Sequence, residues 1–307
     1  MKKALAIVLA VVLCFSLVAC SSGSEDTKTN ANTESTGNTT ANTGSENTTA
    51  NTETGTKETA EPVELIVFAA ASMTETLTEI GNTYMAEHQN VTIQFNFDSS
   101  GTLKTQIQEG ADCDIFISAG QKQVNQIDKN DTTGNNTEGL DLVLEGTRIN
   151  LLENKVTLCV PDPSAADAVK SFDDLAEHLK AGDVLLCMGN SDVPVGQYTQ
   201  KILAYYELSE EQLASAGNIT YGSNVKEVTT QVSEGSVDAG VIYCTDAFSA
   251  GLEIVDYATA EMCGQIIYPA CVINTTKNAE AAQEFLDYLT TDAAMEVFES
   301  VGFSAVK

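Results

Sequence analysis

Apolar residues follow two alternating rhythms along this chain. Glu64 to Ala69 (ELIVFA) is a short β-rich run, whereas Thr74 to Glu87 sets Leu77, Ile80 and Tyr84 three and four residues apart, the spacing of one helix face. Val91 to Phe97 alternates with period two, Thr102 to Glu109 predicts a short helix, and Asp114 to Ser118 (DIFIS) predicts a third strand. These five elements make a βαβαβ unit. After a polar insertion at Asp128 to Gly139, rich in Asn, Thr and Gly, Lys155 to Pro161 opens a second unit. It continues with a helix at Ser171 to Lys180, a strand at Val184 to Cys187, helices at Gln197 to Tyr206 and Lys226 to Ser233, and a strand at Ala239 to Tyr243. Gln265 to Asn274 predicts another strand, and the helices Ala279 to Leu289 and Asp292 to Ser300 close the chain. The order predicts an α/β protein of two parallel-dominated lobes joined by a double crossover. Residues 63–150 with 268–307 are expected to form the first lobe and 151–267 the second.

The start of the chain follows different rules. Lys2 and Lys3 precede an almost unbroken apolar run from Ala4 to Ala19, the composition of an export signal and shorter than the roughly twenty residues of a membrane-spanning helix. The run ends at Leu17-Val18-Ala19-Cys20, which resembles the lipobox of bacterial lipoproteins. That resemblance implies a signal peptide at 1–19 and a lipid on the Cys20 thiol, holding the protein at the outer side of the cell membrane. Ser21 to Pro62 contains thirteen threonines and no Val, Ile, Leu, Phe or Tyr. Such a segment cannot bury a core, so 20–62 is expected to be a disordered tether, with a root-mean-square span of about 35 Å.

Charge narrows the choice of partner. A formal charge of −29 excludes nucleic acid, whose phosphates require a basic surface. A small anion meets a weaker objection, because charges beyond about 8 Å are screened at physiological salt and the local site decides. Arg148 is the sole arginine, so an arginine clamp for an anion is not expected. Six cysteines fall in the domain (Cys113, Cys159, Cys187, Cys244, Cys263 and Cys271), without a C-x-x-C. With only His88 and His178 beside them, on separate predicted helices, a zinc site is not expected and no cofactor is implied. Buried free thiols are one reading of these cysteines. Disulfides, with Cys263 and Cys271 the nearest pair, are the other.

Four segments place small or polar residues where a predicted strand gives way to a helix: Ala69 to Glu75, Asp98 to Thr102, Val193 to Gln197, and Ser223 to Glu227. Ser72 with Glu75, and Asn224 with Glu227, have capping-box spacing. One such turn usually serves only the helix it caps. Four of them, two per half and all at the carboxyl ends of strands, coincide with the place where open α/β sheets bind ligands. Helix N-termini and aligned N–H groups favour negative charge, so neutral donors can hold a dianion there. Lys104 and Lys226, one turn into two of these helices, read mainly as solvated charges, with electrostatic tuning of the cleft mouth as the alternative. Tyr243 alone would read as a core tyrosine, and Cys244 after it as a packing residue on the other face of the strand.

Phe68-Ala69-Ala70-Ala71-Ser72, Ser99-Ser100-Gly101-Thr102-Leu103, and Gly110 to Ala119 (GADCDIFISA) are similar to signature segments of the periplasmic molybdate-binding protein family. Val193 to Tyr198 (VPVGQY), Gly240-Val241-Ile242-Tyr243 with Thr245-Asp246-Ala247, and Gly302-Phe303 extend the likeness to nearly the whole stretch after Val63. The resemblance implies a type II periplasmic-binding fold and capture of molybdate or tungstate in the cleft between lobes, for delivery to an ABC importer's permease and ATPase. It implies that Ser72 and Ser100 give hydroxyl and backbone N–H, Val195 and Val225 backbone N–H, and Tyr243 its hydroxyl. Position 195 is often Ala in that family, and the insertion at 128–139 is longer than its pattern; neither touches a donor. A monomer without catalytic residues is expected. The alternatives are a receptor for sulfate or phosphate, a hydrolase using Ser72 or Ser100, which would need a base at the cleft, and a purely structural surface lipoprotein.

Overall fold

A computed structural model describes residues 61–165 and 169–306. The expected signal peptide, Cys20 and most of the tether lie outside the described residues.

The chain opens with β1 (Val63–Ala70), a 3-10 turn at Ala71–Met73, α1 (Thr74–Glu87), β2 (Val91–Asp98), α2 (Ser100–Gln108), β3 (Ile115–Ile117), α3 (Gln121–Asn125) and β4 (Ile149–Asn154). It continues with β5 (Val156–Val160), α4 (Phe172–Ala181), β6 (Leu186–Gly189), α5 (Pro194–Tyr205), α6 (Glu210–Ala216), β7 (Ile219–Gly222), α7 (Val225–Ser233), β8 (Ala239–Tyr243), α8 (Cys244–Ala250) and β9 (Glu253–Tyr257). It closes with α9 (Ala260–Cys263), β10 (Ile266–Val272), α10 (Ala279–Tyr288), α11 (Asp292–Ser300) and β11 (Ser304–Ala305).

These strands form two sheets, one ordered β11-β4-β10-β3-β1-β2 and the other β7-β6-β8-β5-β9. β1 pairs in parallel with β2 and β3, and β6 in parallel with β7 and β8. The antiparallel pairs come from strands entering or leaving a crossover: β10 runs against β3 and β4, and β5 against β8 and β9. The chain passes to the second sheet at Lys155 and returns between Tyr257 and Ile266.

Local chemistry explains the element boundaries. Ser171 caps α4 by accepting from the Asp174 N–H, a bond whose loss typically costs ~1 kcal/mol, and Gly182 ends that helix in the left-handed conformation at φ 75°. α5 starts three residues before Gln197 because Pro194 is suited to the first helical position, where the missing N–H is no loss. The helix rows bury Leu77, Ile80 and Tyr84 on α1 and Phe285 on α10, with Tyr84 edge-on to Phe285 at 4.9 Å. Truncating a buried phenylalanine of this kind costs about 3–5 kcal/mol.

The insertion at 128–139 adds no helix or strand. It is held by Asp131, which accepts from the N–H groups of Thr133, Asn135 and Asn136, and by the Asn136 amide, which donates to the Asp128 and Leu140 carbonyls. Arg148 is committed beneath it, donating to Asp128 at 2.9 Å and Asn125 at 2.5 Å. All six domain cysteines are free, buried thiols. Burial pushes the Cys159 and Cys271 thiols up to about 12, the reverse of what a reactive cysteine needs.

Candidate functional site

Strand ends and helix starts from both sheets meet at one small cavity. The first lobe contributes Ala71, Ser72, Asp98, Ser99, Ser100 and Ala119 to its wall, and the second Val193, Pro194, Val225 and Tyr243. The space is about 10 Å³ for the centre of a water-sized sphere. A wider groove of about 670 Å³ lies between the same lobes, sharing Pro194 with the small cavity, but glutamine, lysine and Tyr198 line much of it rather than converging helix starts.

In the first lobe the serines are held differently from the expectation. The 3-10 turn at Ala71–Met73 makes Met73 the N-cap of α1, so Ser72 is not its cap; the Ser72 hydroxyl instead meets the Tyr268 hydroxyl at 2.9 Å. Ser99 is the cap of α2, accepting from the Thr102 N–H at 3.1 Å. Ser100 is therefore the first helical residue, whose N–H has no partner within its own helix. Its hydroxyl oxygen accepts from the Ala119 N–H at 2.9 Å, and its side chain is fully buried.

In the second lobe, Val195 and Val225 are second and first residues of α5 and α7, positions whose N–H groups also lack helical partners. Asn224 caps α7 by accepting from the Glu227 N–H at 3.1 Å, while the Glu227 carboxylate accepts from the Ser223 N–H at 2.7 Å. Val225 lies on the cavity wall; Val195, buried, follows the wall residue Pro194. Gly196 lets α5 seat this closely, because a β-carbon there would come within 2.2 Å of the Gly189 carbonyl oxygen. Tyr243 ends β8, is 1 % exposed, and donates to the Ala119 carbonyl of the other lobe at 3.3 Å. Burial lifts its phenol well above the ordinary tyrosine range, so it keeps its proton and acts as a donor. Cys244 packs its thiol against Asn154 Oδ1 at 3.2 Å.

The family described as bacterial extracellular solute-binding protein matches residues 65–304. The chain belongs to that family. The solute-binding protein is 36% identical over 251 residues to Bacillus subtilis (strain 168) YvgL, which carries the name of an ABC transporter substrate-binding lipoprotein; the match spans 81% of this chain and 89% of that one. It is 32% identical over 251 residues to the molybdate-binding protein ModA of Haemophilus influenzae, spanning 80% of this chain and 92% of that one. Its fold is that of the Azotobacter vinelandii periplasmic molybdate-binding protein, with TM-score 0.66 at 19% identity, covering 79% of this chain and all of that one. These relatives are solute-binding transport proteins rather than enzymes, and the two-lobed type II fold follows from the likeness.

Electrostatics at the cleft of this binding protein depend on Lys226, which is not a solvated charge. Its ammonium contacts both oxygens of Glu75 at 2.8 Å across the cleft and Asp246 at 3.3 Å within its own lobe. Desolvation opposes that charge, but the two carboxylates outweigh it and raise the lysine's pKa. Asp246 is fully buried, neither of its oxygens makes a hydrogen bond, and Lys226 is its ion-pair partner. Burial, opposed by Lys226, pushes its carboxyl up to about 6. Lys104 instead donates to Gln108 at 2.6 Å, so neither lysine supplies a free cation to the cavity. Asp98, the acidic residue on the wall, accepts from the Ser99 N–H at 2.7 Å and the Asn224 amide at 3.4 Å.

Tyr268, Asn154 and Asp246 are the functional candidates that pattern reading does not single out. Thr245-Asp246-Ala247 carries family likeness without a role, and Tyr268 and Asn154 sit in crossover strands where nothing local marks them.

Proposed function

We propose that this protein captures molybdate or tungstate as the dianion between its lobes and hands it to the permease and ATPase of an ABC importer. The observation that carries the reading is the donor set. Ser72, Ser100, Val225 and Tyr243 line the cavity from both lobes, with Val195 next to the wall residue Pro194, and no lysine or arginine lines the wall; their hydroxyls and helix-start N–H groups are the donors of this reading. Several charge-assisted bonds from neutral donors offset an anion's lost hydration, as helix N-termini do generally. The name of the Haemophilus relative supports molybdate as the anion. Hinged lobes allow the walls to part and admit the anion.

The protein acts at the outer face of the cell membrane as a monomer, held by a lipid on Cys20, with 20–62 as its tether; the lipoprotein name of the Bacillus relative supports the anchor. Titration calorimetry with molybdate, tungstate, sulfate and phosphate tests the function. Tight binding of the first two and weak binding of the others is expected. Preference for sulfate or phosphate would reassign the protein to another oxyanion, and indifference to all four would overturn the reading.

A further inference from the structure

The two serine oxygens at the cavity each have a polar partner behind them, a backbone N–H for Ser100 and the Tyr268 hydroxyl for Ser72, and the surrounding hydrogen bonds bear on which way each contact runs. For Ser100 the direction is plain: the Ala119 backbone N–H can only donate, so the serine oxygen accepts and its own O–H remains to donate elsewhere.

For Ser72 the direction is set two residues away. Asn154 Oδ1 accepts from the Lys155 N–H at 2.7 Å and from the Cys244 thiol at 3.2 Å. That fixes its amide orientation, since an NH2 in the same place would face a backbone donor. The Asn154 Nδ2 therefore donates, to Thr245 Oγ1 and to the Tyr268 hydroxyl oxygen, both at 3.1 Å. Tyr268 has one proton to give, and its hydroxyl faces Ser72 Oγ at 2.9 Å as well as the Tyr243 hydroxyl; because Tyr243 sends its own proton to the Ala119 carbonyl and Asn154 already donates to Tyr268, donation to Ser72 leaves every one of these groups with a partner. With that proton on Ser72 Oγ, the serine O–H is released toward the cavity that Ser72 lines.

We propose that Tyr268 and Asn154 are positioning residues, which act through Ser72 by holding its hydroxyl as a one-way donor toward the bound anion. Both are buried, and neither is on the cavity wall. The Tyr268 ring is held edge-on between Tyr243, at 5.6 Å, and Phe303, at 5.2 Å, so its oxygen has little freedom to leave Ser72. A site whose hydroxyls all donate suits an anion that carries no proton of its own. This inference rests on the oxyanion reading and deepens it.

A double-mutant cycle on the full chain tests it, with sodium molybdate binding measured by calorimetry for wild type, Tyr268→Phe, Ser72→Ala and the pair. Tyr268→Phe keeps the ring and should weaken binding about five- to tenfold in the presence of Ser72 and less than about twofold in its absence. An equal loss in both backgrounds, or no loss at all, overturns the proposal, because a merely structural tyrosine would act regardless of Ser72. If circular dichroism shows Tyr268→Phe unfolded, Asn154→Ala takes its place in the same cycle with the same expectation. Should wild type ignore molybdate but take sulfate or phosphate, the molybdate reading falls and the cycle judges the relay with that anion. Failure to bind any of the anions removes both.

Discussion

Gly101, the second residue of α2, lies against the Asp192 carbonyl of the opposite lobe: a β-carbon on residue 101 would sit 2.2 Å from that oxygen. No real side-chain carbon tolerates that distance, so the closed arrangement requires glycine here. Alanine otherwise suits a helix better than glycine by about 0.5–1 kcal/mol. Gly101→Ala should thus leave the anion-free protein as stable as wild type or slightly more so, while molybdate affinity falls at least about tenfold. Paired thermal-melt and calorimetry measurements check this, and a variant that binds normally would show that closure does not bring these groups together.

Ser100→Ala removes a hydroxyl whose oxygen is already engaged by Ala119. A hydrogen bond to a charged group contributes about 1.5–3 kcal/mol, so molybdate affinity should fall on the order of ten- to a hundredfold. Tyr243→Phe should cost less, since its hydroxyl exchanges an existing 3.3 Å bond for one to the anion. Equilibrium dissociation constants for the two variants give the ranking directly, and the reverse order would reassign the principal donor.

The halves of the Glu75–Lys226–Asp246 group should behave unequally. The Glu75 side chain is 53% exposed, so Glu75→Gln should change stability by less than about 1 kcal/mol. Lys226→Met leaves the buried Asp246 without its counter-charge and should cost about 2–4 kcal/mol near neutral pH. Urea unfolding of both variants measures the contrast; equal effects would place the charge of Asp246 under some other control.

Asp246 should also make stability depend on pH. Its carboxyl is raised to about 6 from an ordinary 3.8, so between roughly pH 4 and 6 the folded chain holds a proton that the unfolded chain has released. The associated stability is full below the unfolded value and is lost as pH rises through 6. Relative to Asp246→Asn, wild type should therefore gain on the order of 2–3 kcal/mol between pH 7.5 and pH 4. Denaturation midpoints of the two proteins across that range provide the difference, and parallel curves would mean that Lys226 keeps Asp246 ionised throughout.

Periodicity located the elements that bury one regular face. The span of α1, Thr74–Glu87, and that of β8, Ala239–Tyr243, are legible because apolar spacing and local propensity agree there. Short elements such as α3, β4, α6, β7 and β9 were not, since four to seven residues hold too few periods to stand out. Strand β6 lies two residues later than Val184 to Cys187 suggests, at Leu186–Gly189, because Asn218 and Asp238 take up the polar groups around Val184 and Leu185.

At the cavity, capping residues and small side chains announced three of the four helix starts, because a cap is a contact between neighbours in sequence. Ser72 departs from that logic: its spacing to Glu75 suits a capping box, yet its hydroxyl goes to Tyr268, 196 residues away, and Glu75 goes to Lys226, 151 residues away.

The sequence by itself determined the α/β class, the order of the long elements, the polar insertion and a site of donors rather than cations, all properties of composition and near neighbours. Only the tertiary structure decided which groups face one another. That Tyr268 and Asn154 stand behind Ser72, that Gly101 is pressed on Asp192, and that Asp246 is buried beside Lys226 depend on where two sheets place distant residues. Hydrogen bonds and ion pairs act over a few ångströms of space, and local pattern carries no record of which remote segment will come that close.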